Sequence, residues 1–471
     1  MLRFIGGKVR LCDGLARREV LRVGGIGALT LWGRPFFDSP ARAESSGRDR
    51  FGQARSVVFI CLYGGPPQTE TFDMKPNGPD EARGPFRPIA TAVPGLEICE
   101  HLPQLAKVAD QYALVRSFTH EDTAHASGLY THLTGWPHPR ANTNPPASST
   151  DYPHYGSVMG HLRAPARPVP PCVIVGGRIL PQFQGIGQTG GFLGAAEAPY
   201  VMPQGEARIN HYGTILSAGH GPALSLPEQL SPLRLTHRQQ LLAQLEDQAR
   251  LLEPRGRTHA FGQLKQRAFA MLTNPTLTAA FDLEREPDKV RDNYGRHFLG
   301  QNLLLARRLV EASVPTVQVS DIPAGGEQHW DLHYSNIFDR LKNDLLPQLD
   351  QAVHAFLTDL QQRGLLDQTL VIVGGEFGRT PWIDREAGQG GRQHWPRCYS
   401  MLLAGGGIRG GQVFGASDRA AAYPTTNPVG PWDLGATLLH LAGFDPASEV
   451  FDPLQQRQRR ICEGTVIRSL L

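Results

Sequence analysis

Short, continuous apolar runs punctuate this chain, each bracketed by glycine, proline or polar residues. They are SVVFICLY (56–63), ALVRSF (113–118), PCVIVGG (171–177), VPTVQVS (314–320), TLVIVGGE (369–376) and SMLLAGGG (400–407). Runs of this kind predict parallel strands buried on both faces. Between them the period changes to that of helices, in HRQQLLAQLEDQARLLE, GQNLLLARRLVEA and LLPQLDQAVHAFLTDLQQRG. In the last, Leu345, Leu349, Val353, Phe356, Leu357 and Leu360 form one stripe, and Gly364 supplies a stop. Strands alternating with helices predict an α/β fold, a mostly parallel sheet with helices on both faces, in one large domain with insertions. A Pro/Ser/Asn loop covers 139–153, and about 205–290 reads as a mostly helical excursion.

The first 43 residues break the pattern. Arg17-Arg18 precede a short, Gly-rich, weakly apolar stretch, which leads to Ala41-Arg42-Ala43. That is the order of a signal peptide with an A-x-A cleavage site ending at Ala43. The paired arginines resemble the bacterial twin-arginine export signal, so the expectation is a periplasmic or secreted protein whose mature part, 44–471, is a single α/β domain. The other reading is a basic amphipathic helix of the mature fold. The apolar stretch is too short to span a bilayer, and no stable membrane span is expected in the mature chain.

Composition narrows the chemistry. Net charge is +3 from 47 Lys+Arg against 44 Asp+Glu, with the basic residues scattered, which argues against a nucleic-acid surface. Seventeen histidines against six cysteines, none in a CxxC pair, favour a His/carboxylate metal site over a zinc ribbon. Cys61 and Cys172 fall inside apolar runs and read as small core residues; a disulfide framework is not expected in a chain this long.

In parallel sheets the reacting groups collect just beyond the carboxyl ends of the strands. SVVFICLY is followed by Glu70 and Asp73, and ALVRSF by HEDTAHASGLYTHLTG (120–135), with His120, Glu121, Asp122 and His125. VPTVQVS is followed by Asp321, His329, Asp331 and His333; TLVIVGGE ends in Glu376, with Arg379 three residues on, then Arg392 and His394. The pattern suits one or two divalent ions (Zn, Ca, Mg or Mn) held by oxygen and nitrogen, with an arginine for an anionic group. Asp331-x-His333 places both side chains on one side of an extended segment, the strongest metal candidate; a loop hydrogen bond is the plainer reading. Glu376 ends a buried strand, where a carboxylate needs either a metal or Arg379. His394 is a ligand or an imidazole packed on Trp395, Asp73 a ligand or a turn cap, and His329 a neighbour of the site or a solvated residue. Thr119 and Gly135 bound an expected helix over about 121–134, whose N-terminus favours an anion. His125, Leu129 and His132 share one of its faces.

A set of ordered segments then carries a resemblance. GGPPQTETFDMKP, EARGPF, HLTG, FDLEREPDKVRDNYG, GQNLLLARRLVEA, WDLH, GEFGRTP, QHWP and LLAGGGIRGGQVFGASD run from about residue 50 to the C-terminus. Together they resemble the bacterial domain-of-unknown-function 1501 family, which is similar to sulfatases and belongs with the alkaline-phosphatase superfamily. The resemblance implies an alkaline-phosphatase/sulfatase-like core and a metal site at the sheet's carboxyl edge. Carried over, it implies Asp73, Asp331, His333, Glu376 and His394 as metal-site positions, with Arg379 in the GEFGR motif. Two positions depart: Glu70 stands where an aspartate is usual, and Gln393 replaces the acidic residue before His394; either weakens a second metal. In sulfatases the comparable segment reads CxPxRxxLLTG and its cysteine becomes the nucleophile. Aligning HLTG onto it puts His125 at the nucleophile and Leu129 at the arginine, with Ser127 and Thr123 each displaced by two. His125 is left as a ligand or acid–base group, a nucleophile, or a structural residue. The expectation is an exported, metal-dependent hydrolase of phosphate or sulfate esters, with His125 and Arg379 catalytic and an anionic small molecule or glycan ester as partner. The alternative is a non-catalytic module that binds sulfated glycan or an envelope partner.

Overall fold

The computed structural model describes residues 49–471 except 203, 210–214, 221–233, most of 236–270, 323–328, 332, 334–336 and 385–390. The expected export signal over 1–43 and most of HRQQLLAQLEDQARLLE lie outside the described residues.

All six apolar runs form strands of one eight-stranded sheet. In chain order these are β1 (Ser56–Cys61), β2 (Tyr112–Phe118), β3 (Cys172–Val175), β4 (Tyr200–Val201), β5 (Thr316–Ser320), β6 (Thr369–Gly374), β7 (Tyr399–Ala404) and β8 (Gln412–Phe414). The order across the sheet is β8-β2-β7-β6-β1-β5-β3-β4. β1 pairs in parallel with both β6 and β5, and β3 with both β5 and β4. β7 departs from expectation, because it runs antiparallel to both β6 and β2. A parallel neighbour needs a crossover, usually helical, whereas the described residues between Gly374 and Tyr399 form only short strands and turns.

Side chains alternate across the sheet and feed two cores. Val58, Ile60, Val317, Val319, Val371 and Val373 face α3 (Phe298–Glu311) and α4 (Leu346–Gln362). Val57, Phe59, Leu370 and Ile372 face α1 (His125–Thr134), α2 (Tyr155–Leu162) and α5 (Pro431–Leu441). Helices thus cover both faces, as the unbroken apolar strands require. α4 carries the expected stripe, and Gly364 takes the left-handed conformation (φ +67°) just past its end.

Two expectations shift. α1 starts at His125 rather than 121, because the Asp122 carboxylate accepts from the Ala124 and Asn142 N–H groups and the Ser127 hydroxyl, folding 122–124 into a turn. The excursion over 205–290 opens with a hairpin, Gln204–Ile209 paired with Ile215–His220, before its described helices Pro275–Ala280 and Asp288–Tyr294. The cysteines Cys61, Cys99, Cys172, Cys398 and Cys462 are buried free thiols. No described helix is long and apolar enough to cross a membrane.

Burial keeps three of the core histidines, His132, His154 and His297, neutral to low pH. Burial pushes His132 down to about 3, helped by nearby His120, and pushes His154 and His297 down to about 4. The unfolded chain takes up these protons near pH 6.5 and the folded chain does not, so this stability is present above that pH and lost as pH falls. We expect about 2 kcal/mol of destabilisation per histidine on going to pH 5. Urea unfolding midpoints at pH 7, 6 and 5 test this; a flat profile contradicts it.

Candidate metal centre

Four loops converge where strands β2, β5 and β6 end. His125 opens α1 just beyond β2, Asp331 and His333 lie in the loop after β5, and Glu376 and Arg379 follow β6. His394 precedes β7, and since β7 runs antiparallel, the start of that strand lies at the same edge. A two-residue ladder pairs Gly378 with Trp395 and Arg379 with His394.

The centre is one carboxylate ringed by three imidazoles. Asp331 Oδ2 lies 3.0 Å from His125 Nε2, while Oδ1 lies 2.8 Å from His333 Nε2 and 3.0 Å from His394 Nε2. All four side chains are half-buried. Each imidazole is tied on its far side: His125 Nδ1 to Glu376 Oε1 at 2.6 Å, His394 Nδ1 to the Thr123 carbonyl at 2.8 Å, and His333 Nδ1 to Gln393 Oε1 at 2.7 Å. Gln393 is itself oriented, because its amide donates to Asp384 at 3.3 Å. These partners are all acceptors, so each Nδ1 carries hydrogen and each neutral ring turns its Nε2 lone pair toward Asp331. Lone pairs facing a carboxylate at these distances repel unless positive charge lies between them.

Protonation supplies part of that charge. Burial would lower His125, but its hydrogen bonds to Asp331 and Glu376 outweigh it and push the ring up to about 9. Burial lowers His394, and the Arg379 charge adds to this against the pull of Asp331, so this ring stays neutral with its lone pair on Oδ1. Burial would raise Asp331, but the three imidazoles and Arg379 hold it far below the usual carboxylate range.

A cation fits the donor set. Four ligand atoms from His125, Asp331, His333 and His394 lie within 4.8 Å of one another. A tetrahedral ion about 2.0–2.1 Å from its ligands sets neighbouring donors roughly 3.3 Å apart, close to the spacing of the imidazole nitrogens from Asp331. Fixing the second ring nitrogen of each histidine on an oxygen acceptor is the usual support for a metal-binding imidazole. Tyr63 and Phe377 pack against His125, at ring-centroid distances of 5.0 and 5.1 Å, and limit its rotation.

Other predicted residues have different employment. Arg379 is fully buried and donates to the carbonyls of Gly64, Gly65, Trp330 and Arg392 and to Asp331. Arg379 thus serves as a brace behind Asp331, and most of the donors that the expected anion clamp would use are engaged by protein acceptors. Glu376 holds His125 and accepts the Gly64 N–H at 3.0 and 3.2 Å, one step outside the four-ligand set. Asp73 is not brought to the cluster; it meets Lys75 at 2.9 Å, Arg116 at 3.7 Å and the Ser417 hydroxyl. Glu70 is buried against Arg392 at 2.6 Å. His329 is buried, with Nε2 3.3 Å from Asp321. His132 contacts the Tyr399 hydroxyl at 2.8 Å in the core, and Ser127 and Thr123 spend their hydroxyls on Asp122, Thr143 and Asn142.

Gly64 and Gln393 are the functional positions that residue type alone does not flag. Gly64 has φ +110°, and a Cβ there would stand 2.2 Å from the Asp331 N, so only glycine lets the two loops meet. The glycine pair directly after a strand is the available sequence signal. For Gln393→Leu we expect a 10- to 100-fold loss of metal affinity, of the order seen when outer partners are removed. Competition against a calibrated chelator measures it; unchanged affinity would make Gln393 a bystander.

The fold and this edge define an α/β protein with a three-histidine, one-carboxylate centre able to hold a metal ion. The chain belongs to the family described as protein of unknown function DUF1501, whose profile matches residues 54–471. No curated protein sequence matches it significantly. Among solved structures it is similar to Ps i-CgsB in complex with k-i-k-neocarrahexaose (13% identity, 88% of this chain and 76% of that chain, TM-score 0.40). It is also similar to the PsFucS1 sulfatase from Pseudoalteromonas sp. (12% identity, 91% and 72%, TM-score 0.36). A third is the alkaline phosphatase of the Antarctic bacterium TAB5 (12% identity, 84% and 99%, TM-score 0.38).

Proposed function

We propose that this protein is an exported, metal-dependent hydrolase of sulfate or phosphate esters. The carrying observation is the convergence of three imidazole Nε2 atoms on Asp331 while each Nδ1 is held by an oxygen acceptor. Export rests on Arg17-Arg18 and the Ala41-Arg42-Ala43 site in the sequence. His125, Asp331, His333 and His394 would hold a divalent ion, which supplies Lewis acidity toward an ester oxygen and activation of water.

The protein's own groups set the rest of the chemistry. Two carboxylates, Asp331 and Glu376, against Arg379 and a divalent ion leave the pocket net positive, which favours an anionic ester. Glu376 receives the Nδ1 proton of His125 and fixes which nitrogen faces the reacting centre. The Thr123 and Ser127 hydroxyls are committed to protein acceptors, and burial, with the Glu376 charge, raises the Cys61 thiol, so attack by water is the route that fits. The test is hydrolysis of aryl sulfates and aryl phosphates by chelator-stripped protein reloaded with Zn, Mn, Mg or Ca. Turnover restored by about one equivalent of one ion supports the reading. A folded protein that binds none of them overturns it.

A further inference from the structure

Two surface features lie outside the metal centre, one of them joined to it through Trp395. The first is aromatic. Trp382 is 45% exposed and Tyr423 49% exposed, and Trp395 sits between them. Their ring centroids stand 4.9 and 5.7 Å from that of Trp395, at interplanar angles of 75° and 70°. The Trp395 indole is fixed by donating to the Ala422 carbonyl at 2.7 Å. Single exposed apolar residues are ordinary, whereas ordered aromatic rings clustered at the surface mark a binding face. Trp395 also follows His394 in the short ladder, so the element that offers an imidazole to Asp331 carries this indole as well.

The second feature is a cavity of about 300 Å³ lined by Thr69, Met74, Lys75, Arg83, Phe86 and Arg87, among others, with three cations and no carboxylate in its wall. Lys75 and Arg83 each keep one acidic neighbour, Asp73 and Asp80, whereas the Arg87 guanidinium has no carboxylate partner among the described residues. Hydrogen bonds to main-chain carbonyls place the two features on neighbouring segments. Ile383 donates to the Glu81 carbonyl at 2.9 Å, and Arg392 bridges the carbonyls of Pro381 and Ala82.

Flat aromatic faces and a cation-lined cavity on neighbouring segments, with Arg87 unpaired by any described carboxylate, match one ligand chemistry well. The C–H face of a pyranose stacks on indole or phenol rings, and a sulfate or phosphate on that sugar accepts hydrogen bonds from arginine. We infer that the Trp382–Trp395–Tyr423 cluster and the Lys75–Arg83–Arg87 cavity form a subsite for an anionic saccharide. Resting on the function proposed above, this assigns the substrate class as an ester borne on a glycan.

Tryptophan fluorescence titrations of the full protein with oligosaccharides of dextran sulfate, dextran phosphate and plain dextran test it, and the two charged arms tell sulfate from phosphate recognition. Saturable binding of at least one charged ligand is expected, weakened about tenfold or more in a Trp382→Ala/Tyr423→Ala double variant. Arg87→Gln should weaken the charged ligands alone, with metal content unchanged in all variants. No saturable binding of any of the three, or a double variant that binds like the parent, overturns the subsite. So does a concentration-dependent dimer that the double variant abolishes without any saccharide binding, which would assign the rings to a second copy. Binding that persists in Asp331→Asn, with no turnover by the parent, upholds the subsite and removes the hydrolase reading. Aryl-ester turnover without saccharide binding does the reverse.

Discussion

Asp331→Asn is expected to strip the centre of metal while leaving the chain folded. Asparagine keeps the volume and an acceptor for Arg379, but it removes the charge on which His125, His333 and His394 converge. Removing outer partners of metal ligands costs 10- to 100-fold in affinity, and loss of the central ligand should exceed about 100-fold. Protein purified without chelator should carry about one divalent ion per chain, and Asp331→Asn less than roughly a tenth of that, by elemental mass spectrometry. Because the ion binds only the folded state, chelation should lower the parent's unfolding temperature and leave the variant's unchanged. A variant that retains stoichiometric metal, or a folded parent that takes up none, sinks the assignment.

Much of this edge is legible in residue order. Strands of buried apolar residues end abruptly in polar ones, so His125, Asp331, His333 and Glu376 can be gathered at the carboxyl ends of β2, β5 and β6 without coordinates. His394 reaches the same edge for a different reason, since it precedes a strand that runs the other way. Strand direction is not written in an apolar run; it follows from whether the connection has material for a crossover. Asp73 shows the converse limit. It too follows a strand, yet Lys75, two residues on, and Arg116, from β2, draw it into a separate ion-pair cluster.

Hydrogen-bond direction is the part that sequence withholds. The groups that aim the imidazoles are a glutamine amide, a main-chain carbonyl and a carboxylate braced by the N–H of Gly64. Two of these carry no chemical signature in a sequence, and Gln393 reads there as a lost acid rather than as the acceptor that fixes His333. The helix start is similar: Asp122 serves a turn instead of a first helical turn, and that choice depends on Asn142 and Ser127 arriving from elsewhere.

For Arg379→Gln we expect a loss of folding stability rather than of substrate affinity. The guanidinium is fully buried and serves the carbonyls of Gly64, Gly65, Trp330 and Arg392 together with the Asp331 carboxylate. Glutamine is shorter, offers two N–H groups and carries no charge, so several carbonyls and one carboxylate lose their donor. Breaking a buried pair from one side costs about 3–5 kcal/mol, because the remaining charge stays in place without its partner. The loss should be larger in chelated than in metal-loaded protein, since a cation at the centre offsets the exposed charge of Asp331. Denaturant unfolding with and without metal, set beside the KM for whichever ester is turned over, separates brace from clamp. If Arg379 instead gripped the substrate's anion, stability would stay within about 0.5 kcal/mol of the parent while KM rose, and the brace would be refuted.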